Sequence, residues 1–216
     1  MSIKRRSFTT FDCSKKEDIL QCINLLNGGG VVVFPTDTVY GIGCNPFNTT
    51  AVQRIYKIKG RPSDKALPIL AYSISDVEKI VLLTRVGKIL GQMYWPGALT
   101  IVADLINRDI SPKITAGKNS LGVRVPRGKC VRSLLRGCKY LIGTSANKSG
   151  DMPPRCPKEI LSSPLRGFDA LLNGGTIKNG IESTIVKLSQ LADTAEVLRE
   201  GAIKSREIHR FLRTRS

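Results

Sequence analysis

Short apolar runs alternate irregularly with segments of helical periodicity, and this alternation most constrains how the chain can fold. The run 31-VVVF directly follows residues 15–30, whose apolar positions recur at helical spacing before three glycines, and Pro35 ends it. Runs such as 98–105 and 121–126 are spaced like antiparallel neighbours. This mixture favours one α/β domain with a mixed sheet over a doubly wound parallel sheet.

The same patterns give approximate element positions. Two loop-like segments, 106–120 and 151–165, are rich in Pro, Gly or Ser, but neither divides two self-sufficient cores. Helices are predicted over residues 15–30, 49–60, 75–83, 84–95, 129–138 and 203–216. Strands are predicted over residues 31–34, 67–72, 98–105, 121–126, 139–146, 183–188 and 195–201.

The length and composition are typical of a soluble globular protein. The 216 residues fit one large domain or two small ones, with 41% apolar and 24% charged residues. No run approaches the roughly 18 apolar residues that a membrane span needs. The start is basic but lacks the apolar stretch of a signal peptide, so we expect a cytoplasmic protein.

The cysteines and the single histidine narrow the chemistry. The six cysteines form no CxxC pair, and their scatter through apolar and loop segments predicts reduced thiols rather than a disulfide framework. His209 is the only histidine, so zinc binding and Ser-His or Cys-His catalysis are not expected unless His209 serves. His209 falls in the predicted C-terminal helix, where a solvated position is the expectation.

The charge balance points to anionic ligands. Thirty-four Lys and Arg against seventeen Asp and Glu give a formal net charge of +17. A field of this sign attracts nucleotides, nucleic acids and anionic metabolites, although a merely solvated basic surface is the alternative. The basic residues are spread along the chain, and no RNA-recognition motif, zinc finger or basic zipper is visible. Charge therefore favours phosphate handling without identifying nucleic acid as the ligand.

Four loops carry more small polar, glycine or basic residues than a connection needs. Hydroxyls and glycines let backbone amides approach an anion, and Lys and Arg add charge. None is a Walker loop or a GxGxxG fingerprint. Taken singly, each is also compatible with a solvated turn, and Asp37 with a turn-capping residue. The four loops are 35-PTDTVYGIG, 57-KIKGRPSDKALPI, 143-GTSANKSG and 181-IESTIV.

Seven motifs occur in a distinctive order: 35-PTDTVYGIG, 58-IKGRP with 65-KALPI, 95-WPGALT, 122-GVRVP, 142-IGTSANKSG, 182-ESTIV and 198-LREGAI. In this order and spacing the chain resembles the YrdC-like threonylcarbamoyl-AMP synthase family. The set of motifs is specific, although each alone is weak. The resemblance implies a YrdC-like domain over residues 15–205. A basic lead-in (1–14) precedes it, and the end of a helix with a basic tail (206–216) follows.

The resemblance implies an α/β fold in which a twisted mixed sheet, flanked by helices, surrounds a positively charged cavity. It also implies an L-threonylcarbamoyladenylate synthase, which joins L-threonine, bicarbonate or CO2 and ATP and releases pyrophosphate. A separate tRNA threonylcarbamoyl transferase complex would then use the adenylate. Mg²⁺ carried by ATP is the expected cofactor, and no metal site is expected in the protein because no carboxylates cluster. Weak RNA binding by the basic surface is a further expectation.

The resemblance implies the site residues at the matching motif positions, and the charge that phosphate chemistry requires agrees with it. Catalysis is assigned to Lys59 and Arg61, which would stabilise charge on phosphate without a covalent enzyme intermediate. Asp37 has two candidate roles, orienting its loop or contacting the substrate amine. Threonine contacts are assigned to Thr36, Thr38, Tyr40, Arg61, Arg124 and Ser183. ATP contacts are assigned to Lys59, Thr144, Ser145, Asn147 and Arg199.

Two other functions compete with this interpretation. One is a basic module that binds double-stranded RNA or ribosomal precursors, which the net charge favours and the intact set of Lys59, Arg61, Ser145 and Asn147 opposes. The other is the carbamoyl-adenylate chemistry of hydrogenase-maturation carbamoyltransferases. Those chains are much longer and carry zinc-finger-like cysteine spacing, so both length and cysteine spacing oppose it.

Overall fold

The computed structural model describes residues 8–214, which form twelve strands and eight helices. The strands are β1 (Thr9–Asp12), β2 (Val32–Pro35), β3 (Tyr40–Gly43), β4 (Ile69–Ala71), β5 (Val81–Leu82), β6 (Leu99–Leu105), β7 (Ser120–Arg124), β8 (Tyr140–Ile142), β9 (Thr144–Ser145), β10 (Ala170–Asn173), β11 (Thr184–Ser189) and β12 (Thr194–Arg199). The helices are α1 (Lys16–Asn27), α2 (Thr49–Lys59), α3 (Ile74–Val77), α4 (Arg85–Tyr94), α5 (Pro112–Thr115), α6 (Lys129–Cys138), α7 (Pro157–Ser162) and α8 (Ser205–Arg213).

Five strands form a mixed sheet in the order β1-β10-β2-β3-β9. The first three are mutually parallel, whereas β3 is antiparallel to both β2 and β9. Every residue of β2 and β3 is buried, as the apolar run 31-VVVF predicts. The polar loop between β2 and β3 therefore projects from the centre of a covered sheet.

The remaining strands form a second mixed sheet in the order β12-β11-β6-β7-β4-β8, with β5 paired to β6. Strands β6 and β7 are antiparallel, which confirms the prediction for 98–105 and 121–126. Parallel pairing with β6 places Ile185 of β11 opposite Thr100, and pairing with β4 places Arg124 of β7 opposite Leu70. These registers bring the start of β11 and the end of β7 toward one region.

The chain crosses from the second sheet to the first at Gly143, between β8 and β9. A Cβ atom built at this position would lie 2.3 Å from Leu70 Cγ, so only glycine fits the crossing without a shift of Leu70. The predicted strand 139–146 is therefore two short strands in different sheets. The mixed α/β class is confirmed, but the strands divide between two sheets because this crossing interrupts the ladder.

Two apolar clusters hold the elements together. Helices α1 and α6 cover one face of the five-stranded sheet, where Leu26 and Leu134 pack with Phe34. The larger cluster lies between the sheets and the other helices, with Ile42, Ile69 and other fully buried side chains. Full burial of one such side chain contributes about 1.5–3 kcal/mol. These two clusters therefore hold the strands in place, and with them the polar, glycine-containing loops that follow the strands.

Three segments differ from the predicted boundaries. The predicted helix 75–83 is the short helix α3 followed by β5, because pairing with the edge of β6 competes with helix formation. Residues 9–12, part of the predicted lead-in, form β1 and pair with β10. Helix α8 begins at Ser205 and carries the exposed His209, and residues 1–7 of the lead-in lie outside the described residues.

The expectation that all six cysteines are reduced thiols is wrong for one pair. Cys13 and Cys130 form a disulfide, with their Cα atoms 5.7 Å apart although they are 117 positions apart in sequence. The bond joins the segment after β1 to the first turn of α6. Spacing along the chain could not reveal this pair, because only the packing of α1, β10 and α6 brings the two segments together. The other four cysteines are free thiols.

Within residues 8–214, no helix is long and apolar enough to cross a membrane.

Candidate functional site

A cavity of about 260 Å³ lies where the two sheets meet. Its wall includes the loop after β2, the start of β4, the end of β7, the β8–β9 crossing and the start of β11. Eight of the residues assigned from the sequence line it: Thr36, Thr38, Arg61, Arg124, Thr144, Ser145, Ser183 and Arg199. Residues from six separate motifs are therefore brought to one wall.

The loop after β2 is an internally bonded turn. Thr36 Oγ1 donates to the Val39 carbonyl oxygen at 2.7 Å and lies 2.9 Å from Thr38 Oγ1. Because Thr36 has used its one hydroxyl proton, Thr38 must donate in this pair. Arg124 Nη1 in turn donates to Thr38 Oγ1 at 3.0 Å. Both threonine protons are thus engaged within the protein, and Thr38 Oγ1 keeps acceptor capacity at the cavity wall.

Arg124 is the most deeply buried charged residue on the cavity wall, with only 6% of its surface exposed. Its Nε donates to the Gly97 carbonyl oxygen at 2.8 Å, and its Nη2 lies 2.8 Å from Asp37 Oδ1. Burial lowers the pKa of the Arg124 guanidinium, and the neighbouring Asp37 carboxylate opposes this effect. The motif 95-WPGALT thus contributes a carbonyl group that orients Arg124.

The opposite part of the wall is built from the start of β11. Ser183 Oγ lies 2.8 Å from Thr100 Oγ1 of β6, and both side chains are buried. Arg199 Nη2 donates to the Ser183 carbonyl oxygen, and its Nη1 pairs with Glu182 at 2.9 Å. The Nε of Arg199 is buried and has no partner among the described residues. An unsatisfied buried donor of this kind carries a desolvation cost.

Lys59 is not on the cavity wall. Its side chain is 2% exposed, and its Nζ donates to the carbonyl oxygens of Ser145 and Asn147. The Ser149 amide also donates to the Lys59 carbonyl oxygen at 2.9 Å. Burial, followed by the nearby charge of Arg61, lowers the pKa of Lys59 to about 8. The geometry makes Lys59 the anchor of the loop that carries Ser145.

Arg61 lies just beyond the left-handed Gly60 that ends α2. Its Nε and Nη2 donate to the carbonyl oxygens of Lys65 and Ala66 at 3.0 and 2.7 Å. Burial lowers the pKa of its guanidinium. Its own loop therefore holds Arg61 at the cavity edge, with further N–H groups available to a ligand.

Two assigned residues point elsewhere. Tyr40 is fully buried and does not line the cavity. Its chain neighbours Val39 and Gly41 do line it, and successive residues of an extended segment face opposite sides. Its hydroxyl donates to the Gly175 carbonyl oxygen and accepts from the Gly174 amide. Asn147 lines a neighbouring cavity rather than this one.

Sequence reasoning gave no role to two polar side chains of the wall, Thr100 and Glu182, and left Asp37 without a partner. Glu182 is the only carboxylate on the cavity wall among residues 8–214, and its place beside Ser183 in 181-IESTIV was the available signal. Thr100 gave no signal, because it sits in an ordinary strand pattern. Asp37 is off the wall and bonded to Arg124, a contact between residues 87 positions apart.

The described residues offer charge for anions rather than a cage for a cation. Across residues 8–214, no group of three or more His, Cys, Asp or Glu side chains is placed to hold a metal ion. Three guanidinium groups, those of Arg61, Arg124 and Arg199, face the same cavity. The arrangement can position phosphate and carboxylate groups and neutralise their charge.

The sequence matches a known protein family and several named relatives. The model of the family described as Telomere recombination (Sua5, YciO and YrdC) matches residues 24–201. The threonylcarbamoyl-AMP synthase of Bacillus subtilis is 36% identical over 192 residues, which cover 88% of this chain and 55% of the relative. The chain spans about half the length of the relatives from B. subtilis, Pyrococcus abyssi and Schizosaccharomyces pombe that it matches.

Solved structures share the fold. P. abyssi Sua5 complexed with L-threonine aligns with a TM-score of 0.87 and 27% identity, over 95% of this chain and 60% of that chain. Escherichia coli YciO aligns with a TM-score of 0.83 and 23% identity, over 94% of this chain and 99% of that chain. Both alignments include nearly all of the described elements. The chain therefore belongs to the Sua5/YciO/YrdC family.

Proposed function

We propose that this chain is an L-threonylcarbamoyladenylate synthase, a nucleotidyltransferase that joins L-threonine, bicarbonate or CO2 and ATP and releases pyrophosphate. The product would serve the first step of threonylcarbamoyladenosine formation in tRNA. The observation that carries the proposal is the cavity with three guanidinium groups and a row of hydroxyls. Support also comes from the threonine-bound P. abyssi Sua5 and from the name of the B. subtilis relative.

Threonine is assigned to the part of the cavity near the loop after β2. Its carboxylate would take N–H groups of Arg124, and Thr38 Oγ1 offers an acceptor for its ammonium group. Ser183 lies across the cavity and supplies a further hydroxyl. Tyr40 would act from behind the loop, through the Gly174–Gly175 backbone, rather than by direct contact.

ATP is assigned to the side of the cavity formed by Arg61, Arg199 and the β8–β9 crossing, where Thr144 and Ser145 present hydroxyls. Lys59 would support this side by holding the loop. Asn147 Oδ1 is buried without a partner among the described residues and belongs to a neighbouring cavity that Pro153 and Pro154 also line. The prolines would offer an apolar surface to the adenine ring.

The chemistry requires positioning and charge rather than a nucleophilic side chain. The threonine amine forms an N–C bond with CO2 and loses a proton, which gives a carbamate. A carbamate oxygen then attacks the α-phosphorus of ATP, and the bond to the β-phosphate oxygen breaks to release pyrophosphate. Arg61 and Arg199 would stabilise the charge that builds on the phosphate oxygens during this displacement.

Mg²⁺ would enter with ATP and would help to neutralise the charge of the triphosphate, beside Arg61 and Arg199. Bicarbonate is the source of CO2. The labile adenylate would pass to a separate tRNA threonylcarbamoyl transferase complex in the cytoplasm. Weak RNA binding by the basic surface, with its net charge of +17, would assist this transfer.

The test is threonine-dependent release of pyrophosphate. Purified protein is incubated with ATP, Mg²⁺ and bicarbonate, with L-threonine, with D-threonine or without amino acid, and pyrophosphate and ¹⁴C-labelled adenylate are measured. We expect both products only in the reaction that contains L-threonine. Equal pyrophosphate release in all three reactions, or none, contradicts the proposal. Absence of turnover together with salt-dependent binding of duplex RNA would favour the basic RNA-binding module instead.

A further inference from the structure

Arg124 is held by three protein acceptors and still reaches the cavity. A guanidinium group has five N–H donors. Gly97, Thr38 and Asp37 each accept from one of them, through Nε, Nη1 and Nη2 respectively. Two N–H groups, one on each terminal nitrogen, remain without a partner among the described residues. Since Arg124 lines the cavity, these groups are available to an anionic ligand.

Asp37 lies behind Arg124, off the cavity wall. Its side chain is 16% exposed, and its Oδ1 accepts from Arg124 Nη2 at 2.8 Å and from the Arg127 amide at 3.0 Å. The start of α6 presses on the same loop, because a Cβ atom at Gly128 would lie 3.0 Å from the Asp37 amide nitrogen. The residues before α6 thus hold Asp37 in place, and its carboxylate is bonded to Arg124.

We propose that Asp37 is a positioning residue that fixes the Arg124 guanidinium, so that its two remaining N–H groups meet the carboxylate of the amino-acid substrate. This inference rests on the proposed function for the identity of the ligand. The Asp37 carboxylate is off the cavity wall, so it is not placed to contact the substrate amine.

The physical reason is compensation of a buried charge. A guanidinium that is almost completely removed from water needs a nearby anion, and Arg199 adds a second positive charge that acts on Arg124. Without Asp37 the Arg124 side chain loses both its counter-charge and one of the three bonds that set its plane. A planar fork binds a carboxylate through two hydrogen bonds only when its orientation is defined.

The test is a double-mutant cycle on L-threonine affinity. The dissociation constant of L-threonine is measured by isothermal titration calorimetry for wild type, D37N, R124Q and D37N/R124Q. We expect D37N to weaken binding about tenfold in the wild-type background, as for a misplaced binding group. In the R124Q background we expect D37N to change binding by less than about twofold. An equal loss in both backgrounds, or no loss in wild type, overturns the proposal.

A second measurement needs no Arg124 substitution and no ligand. Exchange of the Arg124 Nε–H proton is followed by NMR in wild type and in D37N, or in D37E if D37N does not fold. We expect faster exchange in the variant, and an unchanged rate overturns the proposal. If wild type fails to bind threonine, the proposed function is contradicted, while this exchange measurement still decides the role of Asp37.

Discussion

The Lys59 Nζ atom lies 2.7 Å from the carbonyl oxygen of Asn147, although the sequence assigns Lys59 to catalysis. A second bond joins Nζ to the Ser145 carbonyl oxygen, so one amine connects the end of α2 to both ends of a three-residue turn. The side chain is buried and does not line the cavity. The two charged residues of the motif 58-IKGRP therefore have different roles. Lys59 holds the loop that contains Ser145 and Asn147, and Arg61 faces the cavity.

Substitution K59M should therefore loosen the loop that carries Ser145 without removing a charge from the cavity wall. Methionine keeps the length of the side chain but leaves two carbonyl oxygens without their donor, and each such loss costs about 1–3 kcal/mol. We expect a lower free energy of unfolding in urea and faster amide exchange over residues 144–149. K57M, at an exposed position on the same helix, is the control and should change neither. Normal exchange in K59M, with activity lost, would instead favour direct catalysis by the amine.

Substitution R61A tests the charge that the cavity itself presents. Loss of one charged donor to a developing phosphate charge costs on the order of 3 kcal/mol, or about a hundredfold in rate. We expect a loss of this size in threonine-dependent pyrophosphate release, with an unchanged circular dichroism spectrum. R206A removes an exposed arginine from α8 and should retain full activity. A fully active R61A protein would show that the site is wrongly assigned.

Substitution Y40F separates support of the loop from substrate contact. The Tyr40 hydroxyl bonds the Gly174 amide and the Gly175 carbonyl oxygen, so its removal should lower the free energy of unfolding by about 1 kcal/mol. The KM for threonine should stay within about twofold of wild type, because the side chain is off the cavity wall. Y72F, at a partly exposed tyrosine off the cavity wall, is the matched control and should leave the KM for threonine unchanged. A large rise in KM with normal stability would restore the sequence-based assignment of a direct contact.

The parts of the site that the sequence predicts are those encoded locally. The loop after 31-VVVF had to leave a buried strand through Pro35, and its hydroxyls had to lie near the edge of the sheet. Arg124 stands at the end of its strand, where a charged side chain can reach a rim. The two sheets were not predicted, because the crossing at Gly143 looks like one continuous strand until Leu70 is seen against it.

The parts that the sequence could not predict depend on contacts between distant segments. Asp37 meets Arg124 only because the loop after β2 packs beside the end of β7. The direction of the Lys59 side chain likewise follows from where the β9 loop lies, since an exposed and a buried lysine read alike in a helix. Cys13 and Cys130 show the same limit, because their pairing needs the register of β1 on β10.

The disulfide should be measurable both as a bond and as a contribution to stability. Alkylation of denatured, non-reduced protein should label four thiols, and prior reduction should raise the number to six. Closing a loop across 117 residues should stabilise the fold by about 2–4 kcal/mol through the constraint on the unfolded chain. Dithiothreitol should therefore lower the Tm of wild type and of C156S but leave C13S/C130S unchanged. Labelling of six thiols without reduction would exclude the bond.

The buried thiol of Cys44 gives a prediction about alkaline stability. Burial raises the pKa of Cys44 to about 12, from an ordinary value near 9. The stability that the protonated, buried thiol contributes to the folded state is therefore fully present below pH 9. It is lost as the pH rises toward 12, because the thiol ionises first in the unfolded chain. The stability advantage of wild type over C44A should shrink above pH 9 by up to about 1.4 kcal/mol per pH unit.

Urea unfolding at pH 7.5, 9.0 and 10.5, with the disulfide intact, measures this difference. The lowered pKa of Lys59, about 8, acts in the opposite direction, since that group gains stability as the pH rises toward 10.5. Lys59 is present in both proteins, so its effect cancels in the comparison. C156A, at a half-buried thiol, is the matched control. A constant difference between wild type and C44A at all three pH values would mean that Cys44 does not remain protonated in the folded protein.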